Sequence, residues 1–598
     1  MTTNFHDQVN ARIRVFNPSW ANGEADDFYF RLKKVELRDG SIIEPQVSGV
    51  TVIVGSNNAG KSTILREIKE SLNEGRPALG VSVSSIETEK TTSIADVFAW
   101  LAHNTSYIPA KSDSNHNEFM RANSRVAWEH VHTFWGNHQG ALHSMASFMY
   151  FFGDATGRFS LGASAPKRSE TTDPPTHPVH FLEEDSELVT RLRSISEKVF
   201  QQSLTVDVLS GNVQIRVGRT SLQAPPVDAV TREYRQAIGN LPLLDMQGDG
   251  MRSFFAQILP ILAANYPVVL LDEPEAFLHP PQARALGVEL GKLAKERNVQ
   301  VIVATHDRNF VTGLLESDSD VSVVRVSRSN NGQSQALQLD SGELKKIWHD
   351  PVLRYTNVLE ALFHKIAVLG ESEIDCAYLS AILDHKERPA GKIPKSEFLF
   401  VQTGGKAAFP KVAKALSAVG VPVVAAPDFD IFREEAEVKK LVRALGGTWD
   451  QDLSNLWKRA MHSFLQPRTP MTIGSIISDI QNNFSDQLES EFDADAKKEM
   501  NRLTRAAESP FAELKRHGLG AFTGERRQHM NNLLTELAKF GISPVYEGEL
   551  ERLAPDVVAS KGIGWLTEAL QNGKQGNSES QEHMDRIVGV AERLLSIS

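Results

Sequence analysis

At 598 residues the chain is long enough for three or four compact units, and 41% apolar with 23% charged residues is an ordinary globular composition. A net charge of −11 excludes a globally basic nucleic-acid binder but leaves room for a local basic groove. No run approaches the ~18 consecutive apolar residues of a membrane span, and the start, Met1-Thr-Thr-Asn-Phe-His-Asp7, has neither the basic nor the apolar part of a secretory signal. Cys376 is the single cysteine, so no internal disulfide forms and a reducing cytoplasm is the expected setting.

Asp27-Phe-Tyr-Phe-Arg-Leu-Lys-Lys-Val-Glu-Leu37 alternates apolar and polar residues and turns at Asp39-Gly40, which predicts an edge hairpin. The buried run Val50-Thr-Val-Ile-Val54 then meets Gly55-Ser-Asn-Asn58-Ala-Gly60-Lys61-Ser62-Thr63, the spacing G-x-x-x-x-G-K-[ST] between a strand and a helix. Gly55 and Gly60 let the backbone turn its N–H groups toward phosphates, Lys61 can bridge the β- and γ-phosphates, and Ser62 can ligate Mg²⁺. A nucleoside triphosphate is the ligand this pattern implies. From about 75 to 180 the pattern is irregular and aromatic, with Trp100, Trp128, Trp135 and Phe148-Met-Tyr-Phe-Phe152. This reads as a helical insertion whose aromatics form its own core, rather than a base-stacking surface.

Pro267-Val-Val-Leu-Leu-Asp-Glu-Pro-Glu275 describes a buried strand that delivers Asp272 at its C-terminal end. Asp272 would hold Mg²⁺, and Glu273 is the candidate base for the attacking water. Val299-Gln-Val-Ile-Val-Ala-Thr-His-Asp307 is a second buried strand ending in His306, placed to sense a γ-phosphate. Phosphate loop, Asp-Glu-Pro-Glu-Ala-Phe-Leu-His279 and Ala-Thr-His306-Asp in this order resemble the ABC-type ATPase heads of the SMC/RecF group, most of all those of OLD-family nucleases. The resemblance implies a signature segment, here Met246-Gln247-Gly248-Asp249-Gly250-Met251-Arg252-Ser253, reaching ATP across a dimer. Gln247 stands where the family more often has serine. No long heptad run interrupts the head, so coiled-coil arms are not expected.

The second half starts a new α/β pattern. Ile366-Ala-Val-Leu-Gly370 leads to Glu371-Ser-Glu-Ile-Asp375, Phe398-Leu-Phe-Val401 to Gly404-Gly405, and Val421-Pro-Val-Val-Ala-Ala426 to Asp428-Phe-Asp430. Acids at the ends of neighbouring parallel strands share one crevice, and oxygen ligands grouped so suit Mg²⁺ or Mn²⁺. The order resembles a Toprim domain, with Ser372 in place of a glycine. By the same resemblance Val545-Tyr-Glu-Gly-Glu-Leu-Glu551 would be a strand adding Glu549 or Glu551 as ligands, and Lys561 would stabilise transition-state charge. Between them, residues 431–540 read as a helical insertion whose basic residues, Arg502, Arg505, Lys515-Arg516-His517 and Arg526-Arg527, are either solvated helix faces or a DNA-tracking surface.

The expected architecture is therefore an α/β chain: an ABC-type P-loop ATPase domain over 1–350, then a Toprim domain over 360–598. The resemblance implies ATP-regulated, metal-dependent DNA cleavage in cytoplasmic defence against phage, by a homodimer or higher oligomer. It also implies action alone or beside a partner, such as a helicase-like protein or a retron ribonucleoprotein, and no membrane. The alternative is an ATP-switched DNA-binding scaffold of RecF kind that does not cut. A Toprim strand-transfer enzyme would need a tyrosine nucleophile, for which Tyr378 and Tyr546 are poorly placed.

Overall fold

The computed structural model describes residues 28–598 except 78–79, 109–116, 123, 137–140, 171–172, 174, 264, 329–331, 340–341, 343–347, 351–356, 387–392, 467–471, 486–489, 506–510, 560 and 598. Asp27 and the side chains of Arg502 and Arg505 also lie outside the described residues. The chain divides into two units, Met1–His349 and Asp350–Ser598. Among the described residues no helix is long and apolar enough to cross a membrane.

In the first unit, β1 (Phe30–Leu37) pairs antiparallel with β2 (Ile42–Ile43) and with β4 (Val83–Lys90). The main sheet contains β3 (Gly49–Val54), β5 (Tyr150–Gly153), β6 (Val268–Asp272), β7 (Gln300–Ala304), β8 (Val321–Arg328) and β9 (Ser334–Gln338). Their order is β9-β8-β3-β7-β6-β5, parallel except for the β8–β9 hairpin. Every residue of β3, β6 and β7 is buried, as an apolar run without alternation requires when both faces are covered. The helices that bear on the site are α1 (Lys61–Glu74), α2 (Asp249–Ala263), α3 (Pro280–Glu296) and α4 (Arg308–Glu316).

Two expectations for this unit need correction. The hairpin of β1 and β2 is not an edge of the main sheet but part of a separate three-stranded sheet. The stretch 75–180 is not wholly an insertion, because it supplies β4 to that small sheet and β5 to the edge of the main one. Trp100, Trp128, Trp135 and Phe148 are buried in the core that the small sheet covers, so these aromatics are packing residues.

Two glutamines tie the small sheet to the main one: Gln338 on β9 accepts the Glu44 N–H and donates to the Glu44 carbonyl, each at 2.7 Å, and Gln300 does the same for Leu32 from β7. Gln300, buried at the start of β7, accepts from the Leu32 N–H at 2.8 Å and donates to the carbonyls of Leu32 and Gln46, each at 2.9 Å. An amide is the one uncharged side-chain group that can satisfy a backbone donor and acceptors together.

The second unit has a parallel sheet of β10 (Ile366–Gly370), β11 (Phe398–Gln402) and β12 (Val423–Ala425), in the order β11-β10-β12. Helix α5 (Glu373–His385) follows β10, and α6 (Phe409–Ala418) follows β11. The region 431–540 is helical where described and includes α7 (Gln451–Leu465), α8 (Ala512–His517) and α9 (Gly524–Lys539). It is locked to the loop after β12: Trp457 Nε1 donates to the Phe432 carbonyl at 3.0 Å, and Phe522 packs on Phe429 and Phe464. Residues 545–551 do not form the expected strand. Pairing beside β12 shrinks to one bridge, Ala425 with Ile542, and the chain then turns at Gly548 (φ 123) into a short helical turn, Leu550–Leu553. Tyr378 is buried, bonded to Ser580 and edge-on to Trp565, while Tyr546 lies under the Arg586 guanidinium.

Gln300→Leu keeps the volume but orphans three backbone groups, at about 1–3 kcal/mol for each one left dry. Urea unfolding should show the transition of the first unit lowered by about 3 kcal/mol or more. A change under about 0.5 kcal/mol would mean that water reaches this seam.

Candidate nucleotide and metal sites

The phosphate loop joins β3 to α1. Gly55 leaves the strand at φ 150, where a Cβ would lie 2.1 Å from the Val326 carbonyl oxygen, so glycine is obligatory. Asn58 (φ 64) and Gly60 (φ 104) complete the curl that aims the start of α1 into the loop. Lys61 Nζ donates to the carbonyls of Gly55 (2.9 Å) and Ser56 (3.1 Å), which holds the ammonium across the loop that would cradle phosphates. Thr63 follows on the first turn, half-buried.

Parallel pairing sets Asp272 beside Ala304 and Ala304 beside Ile53, so β6 and β7 end next to the phosphate loop. Ser62 Oγ donates to Asp272 Oδ1 at 2.8 Å. Burial pushes the Asp272 carboxyl above its usual range, against the pull of the Ser62 hydroxyl. A hydroxyl and a carboxylate so joined, in a partly dry place, fit Mg²⁺.

Glu273 follows with a left-handed backbone, φ 49, unusual for a residue with a side chain. Arg158 holds this turn. Its fully buried guanidinium donates to the carbonyls of Asp154 (2.7 Å), Glu273 (2.8 Å), Asp272 (2.9 Å) and Pro274 (3.1 Å). Gln257 of α2 adds a bond to Pro274 O at 2.9 Å. The Glu273 carboxylate therefore stands half-exposed above a rigid base. His306 Nδ1 lies 3.6 Å from Glu273 Oε1 and 3.2 Å from Glu275 Oε1, and the His306 N–H donates to Glu275 at 3.0 Å. Burial raises the Glu275 carboxyl above the ordinary range. Arg158 and Glu275 were absent from the residues expected at this site. Glu275 stood in the Asp-Glu-Pro-Glu motif, whereas nothing local marks Arg158.

Gln247 and Gly248 close a helical turn, Leu244–Met246, just before α2, and the Gln247 amide donates to the Leu243 carbonyl at 3.1 Å. Among the described residues neither is bonded to the phosphate loop of its own chain. Met246 and Phe277 beside them are exposed.

In the second unit Glu371 follows β10, and Asp428 and Asp430 follow β12. One carboxylate oxygen from each lies within 4.8 Å of the others. The N–H groups of Gly404 and Gly405 donate to the Glu371 carbonyl at 3.1 and 2.9 Å and fix the strand end. The Asp428 carboxylate is bonded by the Leu550 N–H at 3.1 Å rather than by a lysine. Burial first, then Glu371, Asp375 and Asp430, hold the Asp428 carboxyl well above the carboxylate range, and burial does the same more mildly to Glu371. Acids gathered in this way, Asp430 buried and Glu371 and Asp428 partly so, are relieved by a divalent cation, and an all-oxygen set fits Mg²⁺ or Mn²⁺.

Asp375 lies outside the closely spaced trio but near enough to raise the Glu371 and Asp428 carboxyls. It is taken up in a capping box with Ser372: Asp375 Oδ2 accepts the Ser372 N–H (2.9 Å) and Ser372 Oγ accepts the Asp375 N–H (3.2 Å), starting α5. Ser372 has φ −129, so a glycine is not needed there. Glu549 is buried and ion-paired with Lys561, which also lies 3.5 Å from Glu551. Two further lysines, not expected as site residues, reach Asp430: Lys406, just after Gly405, pairs with Oδ1, and Lys515 of α8 lies 3.5 Å from Oδ2.

Fold and loop together define an α/β P-loop ATPase domain in the first unit. Residues 111–312, which hold Asp272, Glu273 and His306, match the family described as "AAA domain, putative AbiEii toxin, Type IV TA system". Comparison with curated proteins gave no match. Among solved structures the chain is similar to an Smc head bound to the C-winged helix domain of ScpA (13% identity, TM-score 0.31, 53% of this chain and 99% of that one). It is similar as well to the SMC head domain from Thermotoga maritima (18%, 0.27, 52% and 99%). A third is the Smc head with an extended coiled coil, bound to the C-terminal domain of ScpA derived from Pyrococcus furiosus (11%, 0.29, 53% and 98%).

Arg158→Lys keeps the charge but cannot span four carbonyls. ATP turnover should fall roughly 100-fold with ATP affinity unchanged, because the change misplaces Glu273 and leaves the phosphate loop intact. Equal loss of both would reduce Arg158 to a core residue.

Asp428→Asn tests the buried charge. A folded-state carboxyl raised above its unfolded value of about 3.9 binds protons better folded than unfolded, so the metal-free protein loses stability as pH rises from about 4 through the folded value. In chelator at pH 8 the variant should melt above the parent, by about 2–4 °C per kcal/mol relieved, and the gap should close near pH 4. Mn²⁺ should raise the melting temperature of the parent alone. Calorimetry showing the variant less stable at pH 8 would contradict this electrostatic account.

Proposed function

We propose that this protein is an ATP-binding and ATP-hydrolysing, metal-dependent DNA endonuclease of the OLD type, with a Toprim nuclease domain over 360–598. The observation that carries the reading is the carboxylate trio Glu371, Asp428 and Asp430, gathered at the C-terminal ends of parallel strands. A sensor that never cuts has no use for acids held so close together. Bound Mg²⁺ or Mn²⁺ supplies water activation and charge neutralisation for phosphodiester hydrolysis. Glu371, Asp428 and Asp430 would hold the cation, with Asp375, Glu549 and Glu551 as further acidic ligands, and Lys561 would offer an ammonium to the charge that develops on the phosphate.

In the ATPase unit Lys61 and the loop amides bind the triphosphate, and Ser62 with Asp272 orients Mg²⁺. Glu273 takes the proton of the attacking water, and His306, braced by Glu275, faces the γ-phosphate. ATP-dependent pairing of two copies through the Gln247–Gly248 segment fits the exposure of Met246 and Phe277. The matched family's description as a toxin of a type IV system fits a damaging effector in phage defence, held in check until triggered.

A second reading, an ATP-switched DNA-binding scaffold without cleavage, draws on the pairing of Asp430 with Lys406 and of Glu549 with Lys561. In that reading the acids are neutralised by the protein itself.

Purified protein should cut supercoiled and linear DNA with Mg²⁺ or Mn²⁺, and Asp428→Ala/Asp430→Ala should lose at least ~100-fold of that rate. Runs with and without ATP, beside Glu273→Gln, give the sign of coupling between the sites. DNA binding by a parent that never cuts, with or without either metal, would favour the scaffold.

A further inference from the structure

Lys515 belongs to the helical insertion, yet it reaches the acidic crevice. Its ammonium lies 3.5 Å from Asp430 Oδ2, while Lys406 holds Oδ1. The insertion is seated firmly at this point. Leu514 is fully buried, the Leu519 N–H donates to the Tyr546 carbonyl at 2.8 Å, and the Phe429 N–H donates to the Gly548 carbonyl at 2.7 Å. A Cβ on Gly548 would lie 2.2 Å from the Lys515 carbonyl oxygen, so that backbone approach requires glycine. The backbone of Lys515 is thus fixed against the turn that presents Glu549, while its side chain is 47% exposed.

A divalent cation on the trio and an ammonium on Asp430 compete for the same oxygen atoms. A cation that took Asp430 Oδ2 would release the Lys515 ammonium, while the Lys515 backbone stays fixed against Gly548. Lys406 is less exposed, at 28%, and Lys561 is engaged by two glutamates. Lys515 is accordingly the ammonium placed to meet a strand on its way to the metal. In an acidic protein such local cations must do the phosphate neutralisation that net charge does not.

We propose that Lys515, delivered by the helical insertion, is a positioning residue that binds a backbone phosphate of duplex DNA beside the bond to be cut. The inference rests on the nuclease reading above for its setting, and its test does not depend on cleavage. Binding of full-length protein to a short fluorescent duplex is measured across a salt series, with Ca²⁺ in place of Mg²⁺. The proteins compared are the parent, Lys515→Ala, Lys515→Arg and, as a surface control, Lys440→Ala.

Lys515→Ala should weaken binding to all sequences alike and make the salt dependence shallower by about 0.9 in log–log slope, the share of one phosphate contact. Lys515→Arg should restore the slope, and Lys440→Ala should leave it unchanged. An unaltered slope in Lys515→Ala, or a parent with no salt-dependent DNA binding, overturns the proposal. Mg²⁺-driven cleavage of the same duplex is followed in parallel. A parent that cuts while Lys515→Ala keeps the parental slope sinks the Lys515 role alone. A parent that does not cut, yet loses slope on Lys515→Ala, sinks the nuclease reading and leaves the phosphate contact standing.

Discussion

Neighbouring parallel strands share their direction, so the residues that follow their C-terminal ends are delivered to one edge of the sheet. In both units that edge receives carboxylates: Asp272 and Glu273 after β6 in the first, Glu371, Asp428 and Asp430 in the second. Apart from the terminal Asp272, β6 and β10 are apolar and buried throughout, so no other polar residue within them competes for the same role. The chemistry is thereby confined to the last residue of a strand and the first residues beyond it.

Placing acids there is unfavourable until something neutralises them, and the two units do so differently. In the first, one carboxylate accepts a hydroxyl bond and the turn behind it is fixed by a buried arginine bonded chiefly to carbonyl groups, with a longer bond to the Ser253 hydroxyl. Arg158 contributes rigidity more than charge compensation. In the second, ammonium groups from three separate places, Lys406, Lys515 and Lys561, approach the acids directly. Asp428 keeps a backbone amide rather than an ammonium as its hydrogen-bond donor, and burial with its acidic neighbours holds it well above the carboxylate range.

Much of this was legible in the residues. Runs of four or five apolar residues ending in an acid marked β6, β10 and β12, and the glycine spacing marked the phosphate loop, since in each case the signal is local. Strand β5 escaped notice because Tyr150-Phe-Phe-Gly153 is short and aromatic, and its partner β6 lies more than a hundred residues away. Residues 545–551 alternate like a strand, but Gly548 adopts a backbone that ends one. Arg158 carried no signal at all. An arginine that caps carbonyls looks, in sequence, like any other arginine. Asp375 is different again: Ser372-Glu-Ile-Asp375 has the spacing of a helix cap as well as of a ligand pair, and the hydrogen bonds formed here are those of the cap.

The Gln300 amide has a bearing on how this architecture can vary. Because it answers both the N–H and the C=O of Leu32, it acts as a surrogate strand residue and gives the small sheet a single seat on β7. A two-residue slip of β1 would preserve the alternation of its faces, so hydrophobic patterning alone could not prevent it. The amide does, because a slipped strand would leave its own polar groups stranded in a dry seam. Length changes in this part of the chain are consequently tolerable at the exposed Asp39–Gly40 turn and forbidden between Phe30 and Leu32. Together with Gln338, which answers Glu44 in the same way, this uncharged side chain sets the reading frame in which two sheets fit together.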